Sequence, residues 1–160
     1  MAQQAERMAR YGLIGLLALG MFISCSKKNN TVQNVANNCV YSTAMNQQVN
    51  FTILNGSSQF FPLTSIGGYT TITGYNPKGI FVYHVSQNQF VAFDRNCTKD
   101  GCDVTNAFVT VQPGNTSLKD TVGCKSMFNI TDGSVLQGPA TVALYQYHTS
   151  WDGNQLRIYN

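Results

Sequence analysis

The side chains of this 160-residue sequence best equipped for chemistry are five cysteines, Cys25, Cys39, Cys97, Cys102 and Cys124, and two histidines, His84 and His148. Three of the thiols fall in two short boxes. The first is Cys97-Thr98-Lys99-Asp100-Gly101-Cys102, and the second is Thr121-Val122-Gly123-Cys124-Lys125-Ser126-Met127-Phe128, with Gly138-Pro139-Ala140 some way beyond. Thiols gathered in this way can oxidise to a bridge, hold a soft metal ion, or cycle between dithiol and disulfide. With Cys25 set aside, four cysteines allow two bridges in three pairings, and spacing leaves the choice open. A structural zinc site wants four thiolate or imidazole ligands. The boxes supply Cys97, Cys102 and Cys124 but no histidine, since His84 and His148 lie outside them. A thiol oxidoreductase would need a C-x-x-C in a thioredoxin-like setting, and none is present. Nor is there a Gly-rich phosphate loop, a nucleophile elbow or a zinc-protease histidine pair, so no enzymatic activity is expected.

The elements that must carry these boxes read as strands. After residue 38 no stretch keeps a helical period, while short runs rich in β-branched and aromatic residues recur between turn signals. Residues 49–54 alternate apolar and polar and end at Asn55-Gly56. Residues 59–63 and 69–73 follow as strands, and Asn76-Pro77-Lys78-Gly79 has the residue types of a turn. The most continuous apolar run, 80–85, pairs with 89–93 in a hairpin that delivers Asp94-Arg95-Asn96 into the first box. Residues 107–111 form a strand between the boxes. Residues 128–131 and 134–136 flank Asp132-Gly133, and 142–148 and 155–159 make a terminal hairpin across Trp151-Asp152-Gly153-Asn154. Phe90, Phe93, Phe128 and Tyr145 at strand positions are core residues, and His84 is a half-buried or surface strand residue.

Spacing and flanks of the boxes resemble the Rieske domain, in which C-x-H-x-G-C and C-P-x-H-G-S-x-F boxes hold a 2Fe-2S cluster and a Gly-Pro loop covers it. The resemblance spans roughly residues 79–160 and implies an all-β, Rieske-like antiparallel β sandwich with two loops at the former cluster-binding tip, residues 39–78 adding outer strands. It places the four cluster-ligand positions at Cys97, Lys99, Thr121 and Cys124, with Ser126 at the family's serine. That cluster needs two thiolates on one iron and two imidazoles on the other. An ammonium has no lone pair to offer, and a threonine hydroxyl is a poor replacement for a thiolate. The expected cofactor is therefore none, the alternative being a 2Fe-2S cluster on unusual ligands among Cys97, Cys102, Cys124 and His84. Many respiratory members carry a disulfide between the two loops. The resemblance favours Cys102–Cys124 for that bridge, then Cys97–Cys124, with Cys39 either pairing with Cys97 or remaining a buried thiol.

The start of the chain reads as an address. Arg7 and Arg10 precede an apolar run, 12–23, too short to span a bilayer. It ends in Phe22-Ile23-Ser24-Cys25, which resembles a bacterial lipobox. The resemblance implies removal of 1–24, acylation of Cys25 and stable attachment, because each buried methylene adds about 0.8 kcal/mol. Residues 25–38, with Lys27 and Lys28 beside the anchor, form a polar tether to a domain over 39–160. The chain most resembles lipoproteins of Bacteroides-like bacteria, and without an acidic run after the cysteine the expected address is the outer membrane, facing the periplasm. The processed chain carries eight basic and six acidic residues, a net charge of +2 with scattered basic groups, and no nucleic-acid partner is expected. What is expected is a membrane-anchored structural or interaction module. Its contact surface for a protein partner would be the loop tip, with Lys99, Asp100, Lys125 and Ser126, the runner-up function being an electron carrier.

Overall fold

The β-branched and aromatic runs form strands wherever a neighbour completes their ladder. The computed structural model describes residues 47–99 and 107–160, all within one unit, Asn34–Asn160. The leader, the tether, Cys25, Cys39, Asp100 and Cys102 lie outside the described residues. In chain order the strands are β1 (Asn50–Leu54), β2 (Tyr69–Ile72), β3 (Ile80–Ser86), β4 (Gln89–Asp94), β5 (Val109–Val111), β6 (Ser117–Asp120), β7 (Met127–Asn129), β8 (Val135–Gln137), β9 (Gln146–Trp151) and β10 (Gln155–Tyr159). Two antiparallel sheets result. The larger has the order β1-β10-β9-β4-β3-β2 and the smaller β5-β6-β7-β8, so the fold is all-β.

Strand pleating explains why β3 and β4 read as the most apolar runs. Successive side chains point to opposite faces, and both faces of this hairpin are covered. Ile80, Val82, Phe90 and Ala92 face a core shared with Val49, Ile53, Leu63, Tyr147, Leu156 and Ile158. Phe81, Val91 and Phe93 face a second core made with Val109, Leu118 and Phe128 of the small sheet, which also contains Cys97 and Cys124. The hairpin is thus the wall between the two cores. Its outgoing end, Asp94, leads into the first box.

The outer strands come from the segment expected to supply them: β1 and β2 are the two edges of the larger sheet. Other expectations shift. Residues 59–63 do not form a strand but end in a single 3-10 turn, Phe61–Leu63, because Pro62 has no N–H for a ladder and suits the first turn of a helix. Asn55-Gly56 makes a turn, with Gly56 at φ 81°, but no hairpin, since β1 pairs with β10. The last hairpin begins at Gln146 rather than residue 142. β6, whose sequence Ser-Leu-Lys-Asp lacks alternation long enough to read, is held by ladders on both sides.

Candidate functional site

The two boxes meet at the end of the second core, and a disulfide joins Cys97 to Cys124. This corrects the favoured Cys102–Cys124 pairing. Cys97 follows directly from β4 through an isolated bridge between Asn96 and Phe108, and it is fully buried in the same cluster as Cys124. Cys124 is therefore already bonded to the box-one thiol that the strand delivers inward.

Each side of the bridge is set by short polar contacts. On the first box, buried Asp94 accepts Asn96 N–H on Oδ1 (2.8 Å) and the Tyr147 hydroxyl on Oδ2 (3.2 Å). Tyr147 in turn accepts from Asn76 Nδ2 at 3.3 Å. Burial raises the Asp94 pKa against the lowering effect of those hydrogen bonds. The Tyr147 pKa is raised too, first by burial and then by the Asp94 charge. Arg95 donates from Nε to Val109 O (3.1 Å) and from Nη1 to Lys78 O (3.2 Å), with its guanidinium over the Phe108 ring. Thr98 Oγ1 donates to Val142 O at 2.7 Å, fixing the box to the stretch that leads into β9.

On the second box the organiser is Asp120, the last residue of β6. Its Oδ1 accepts the N–H groups of Val122 (3.0 Å) and Gly123 (2.8 Å), and its Oδ2 accepts that of Cys124 (3.0 Å). Three backbone donors folded around one carboxylate force the loop to turn back and point Cys124 into the core. A side chain at Gly123 would lie 2.6 Å from Asp120 Oδ2 and 2.8 Å from Ala107 Cβ, so glycine is needed there for close approach. Lys125 has φ 63°, and its Nζ donates back to the carbonyls of Thr121 and Val122. Ser126 is fully buried. Its Oγ accepts Ala140 N–H at 2.8 Å, tying in the Gly138-Pro139-Ala140 loop, and sits 3.0 Å from Cys124 Sγ.

The four positions assigned to cluster ligands have separate fates. Cys97 and Cys124 come together and are bonded to each other, while Lys99 and Thr121 are exposed at the loop surface. Among the described residues the two boxes do not offer two thiolates and two imidazoles, a set that does not fit a Rieske-type cluster. Lys99 and Lys125 are exposed, whereas Ser126, expected at an exposed contact surface, is buried. His84 is more enclosed than expected, 7% exposed and stacked on Phe90 at 4.3 Å, and neither ring nitrogen has a hydrogen-bond partner among the described residues. It lies in the first core's hairpin, not in the boxes. Asp120 and Asp94 organise the two boxes, a role that sequence reasoning passed over. Asp120, preceding Thr-Val-Gly, does carry the signal of a carboxylate that captures N–H groups two and three residues on.

Among solved structures, the cyanobacterial plasma-membrane Rieske protein PetC3 from Synechocystis PCC 6803 is similar with a TM-score of 0.48 and 23% identity, covering 66% of this chain and 97% of that one. A complex of reduced oxygenase and oxidized ferredoxin in carbazole 1,9a-dioxygenase gives 0.47 and 16%, covering 70% and 94%. A putative NADH-dependent nitrite reductase small subunit from Mycobacterium tuberculosis gives 0.43 and 15%, covering 71% and 96%. No family model and no curated protein sequence matches.

Proposed function

We propose that this chain is a lipid-anchored envelope protein whose Rieske-like domain carries no iron-sulfur cluster and serves as a structural or protein-interaction module rather than a catalyst. The observation that carries the proposal is the Cys97–Cys124 bond. It engages the only two sulfurs at ligand positions, while the other two positions are an exposed lysine and an exposed threonine. The bond does for the tip what a cluster would do, holding two loops at fixed separation. Around it stand Lys99, Thr121, Lys125 and Val122, the last 53% exposed, a mixed cationic and apolar surface on a rigid support and the proposed contact for a protein partner.

The anchor is proposed at Cys25, with the domain at the outer membrane facing the periplasm. Among the described residues no helix is long and apolar enough to cross a membrane. The test is to isolate the full chain from iron-replete cells in detergent and measure iron, acid-labile sulfide and the visible spectrum. A colourless, iron-free protein is expected, and about two irons per chain with cluster absorption would overturn the proposal. Cys25→Ser should abolish labelling by radioactive palmitate and release the domain from membranes. Retention of both would sink the anchor.

A further inference from the structure

We propose that, once the Cys97–Cys124 bond is reduced, the two sulfurs and the Asp120 carboxylate hold a single zinc ion. One donor atom from each of the three residues lies within 4.8 Å of the others. Donors on a tetrahedral zinc stand about 3.8 Å apart for two sulfurs and about 3.6 Å for sulfur and oxygen, from bond lengths of about 2.3 and 2.1 Å. Reduction frees the two sulfurs to separate to that spacing, with the Asp120 carboxylate already within 4.8 Å of both.

Three features make the cluster a ligand set rather than a chance meeting. All three side chains are buried, Cys97 and Asp120 completely and Cys124 to 9% exposure, so water competes poorly for the cation. A carboxylate has about four lone-pair sites, and among the described residues Asp120 Oδ2 accepts only Cys124 N–H, which leaves it an acceptor direction for a cation. Its orientation is fixed by three backbone N–H groups, and Cys124 Sγ accepts Ser126 N–H at 3.4 Å with Ser126 Oγ 3.0 Å away. These are outer contacts of the kind that hold metal ligands in place. Two thiolates and a carboxylate crowded beside Val109, Leu118 and Phe128 repel one another in a medium of low polarity, and a dication removes that repulsion.

The chemistry balances simply. An external dithiol gives two electrons to the Cys97–Cys124 bond and closes into its own disulfide, leaving two thiols; zinc then displaces the two thiol protons into solvent. Lys99 and Thr121 take no part, which separates this mononuclear site from a two-iron cluster. It rests on the cluster-less reading only in needing a disulfide to reduce.

The test uses the full chain in detergent, first assayed for iron, then reduced with a phosphine, desalted without oxygen and titrated with cobalt(II) followed by zinc. One cobalt per chain is expected, with intense visible bands of tetrahedral thiolate coordination that vanish on adding one equivalent of zinc, and none in the oxidised protein. Asp120→Asn should weaken binding about tenfold or more, Cys124→Ser should abolish the tetrahedral bands, and Cys102→Ser should keep them. Should Asp120→Asn fail to fold by circular dichroism, the Cys124→Ser and Cys102→Ser pair decides. Absence of tetrahedral bands in the reduced, iron-free chain, their persistence in Cys124→Ser, or their loss in Cys102→Ser overturns the site. Iron and sulfide in the protein as isolated would instead overturn the cluster-less reading, so the two failures are distinguishable.

Discussion

Replacing both bridging residues, Cys97→Ala with Cys124→Ala, asks how much of the fold's stability the covalent tie supplies. The two positions are 27 residues apart in sequence. In the loop-closure treatment, a cross-link over that length removes about 12 cal/mol/K from the unfolded chain, or about 3.5 kcal/mol at 25 °C. Removal of two buried sulfurs from a core cluster adds a smaller packing loss. For a domain of this size the expected fall in Tm is roughly 10–18 °C. Urea denaturation of the oxidised wild-type and double-variant chains separates the two causes. Loss of the cross-link lets the unfolded chain expand, so the m-value should rise as the midpoint falls. A cavity alone would lower the midpoint and leave m unchanged. A loss below about 1 kcal/mol with m unchanged would refute the view that the bridge organises the tip, as would a non-reduced peptide map joining Cys124 to Cys102.

Three further outcomes follow from contacts beside the bridge and in two of the turns. Burial raises the Asp94 pKa above its unfolded value of 3.8, so this group favours the folded state below that value and penalises it as pH climbs through the folded pKa. Tyr147→Phe removes a hydrogen bond that offsets the penalty and leaves the Asn76 amide without its acceptor; the variant should lose about 1–3 kcal/mol near neutral pH. By urea melts the loss should be smaller near pH 4, and a loss independent of pH would contradict the assignment. Gly123→Ala should cost about 1–3 kcal/mol by the same measurement, because its Cβ meets Asp120 and Ala107 inside contact distance; a neutral effect would mean that the loop relaxes freely. Asp132 and Asp152 have pKa values lowered, the first by hydrogen bonds from Ser134 and the second by the N–H groups of Asn154 and Gln155. Their contribution is present above the unfolded value and fades as pH falls through the folded pKa, so Asp132→Asn with Asp152→Asn should flatten the acid side of a Tm-against-pH curve.

The parts of the molecule legible in the sequence are those where one local rule operates alone. The β3 and β4 runs announce themselves because both faces of that hairpin are buried, and Asp152-Gly153 places the turn of the last hairpin because only a positive φ closes it. β6 is silent because its four residues become a strand only through the ladders of β5 and β7. Residues 59–63 mislead for the opposite reason: Phe60, Phe61 and Leu63 look like strand residues until Pro62 removes a donor. The site divides in the same way. Counting thiols shows that a bridge can form, and the resemblance of the boxes implies which loops it joins, yet neither says that Cys97 is the box-one partner of Cys124. That choice is made by Asp94 and Arg95. The buried carboxylate turns the chain through Asn96 N–H, and the guanidinium clamps the same turn to β5 and to Lys78, leaving Cys97 on the core side within reach of Cys124. The pairing is therefore a consequence of contacts many residues apart in sequence. A change at Asp94 that keeps both cysteines should alter their oxidation as surely as a change at either sulfur.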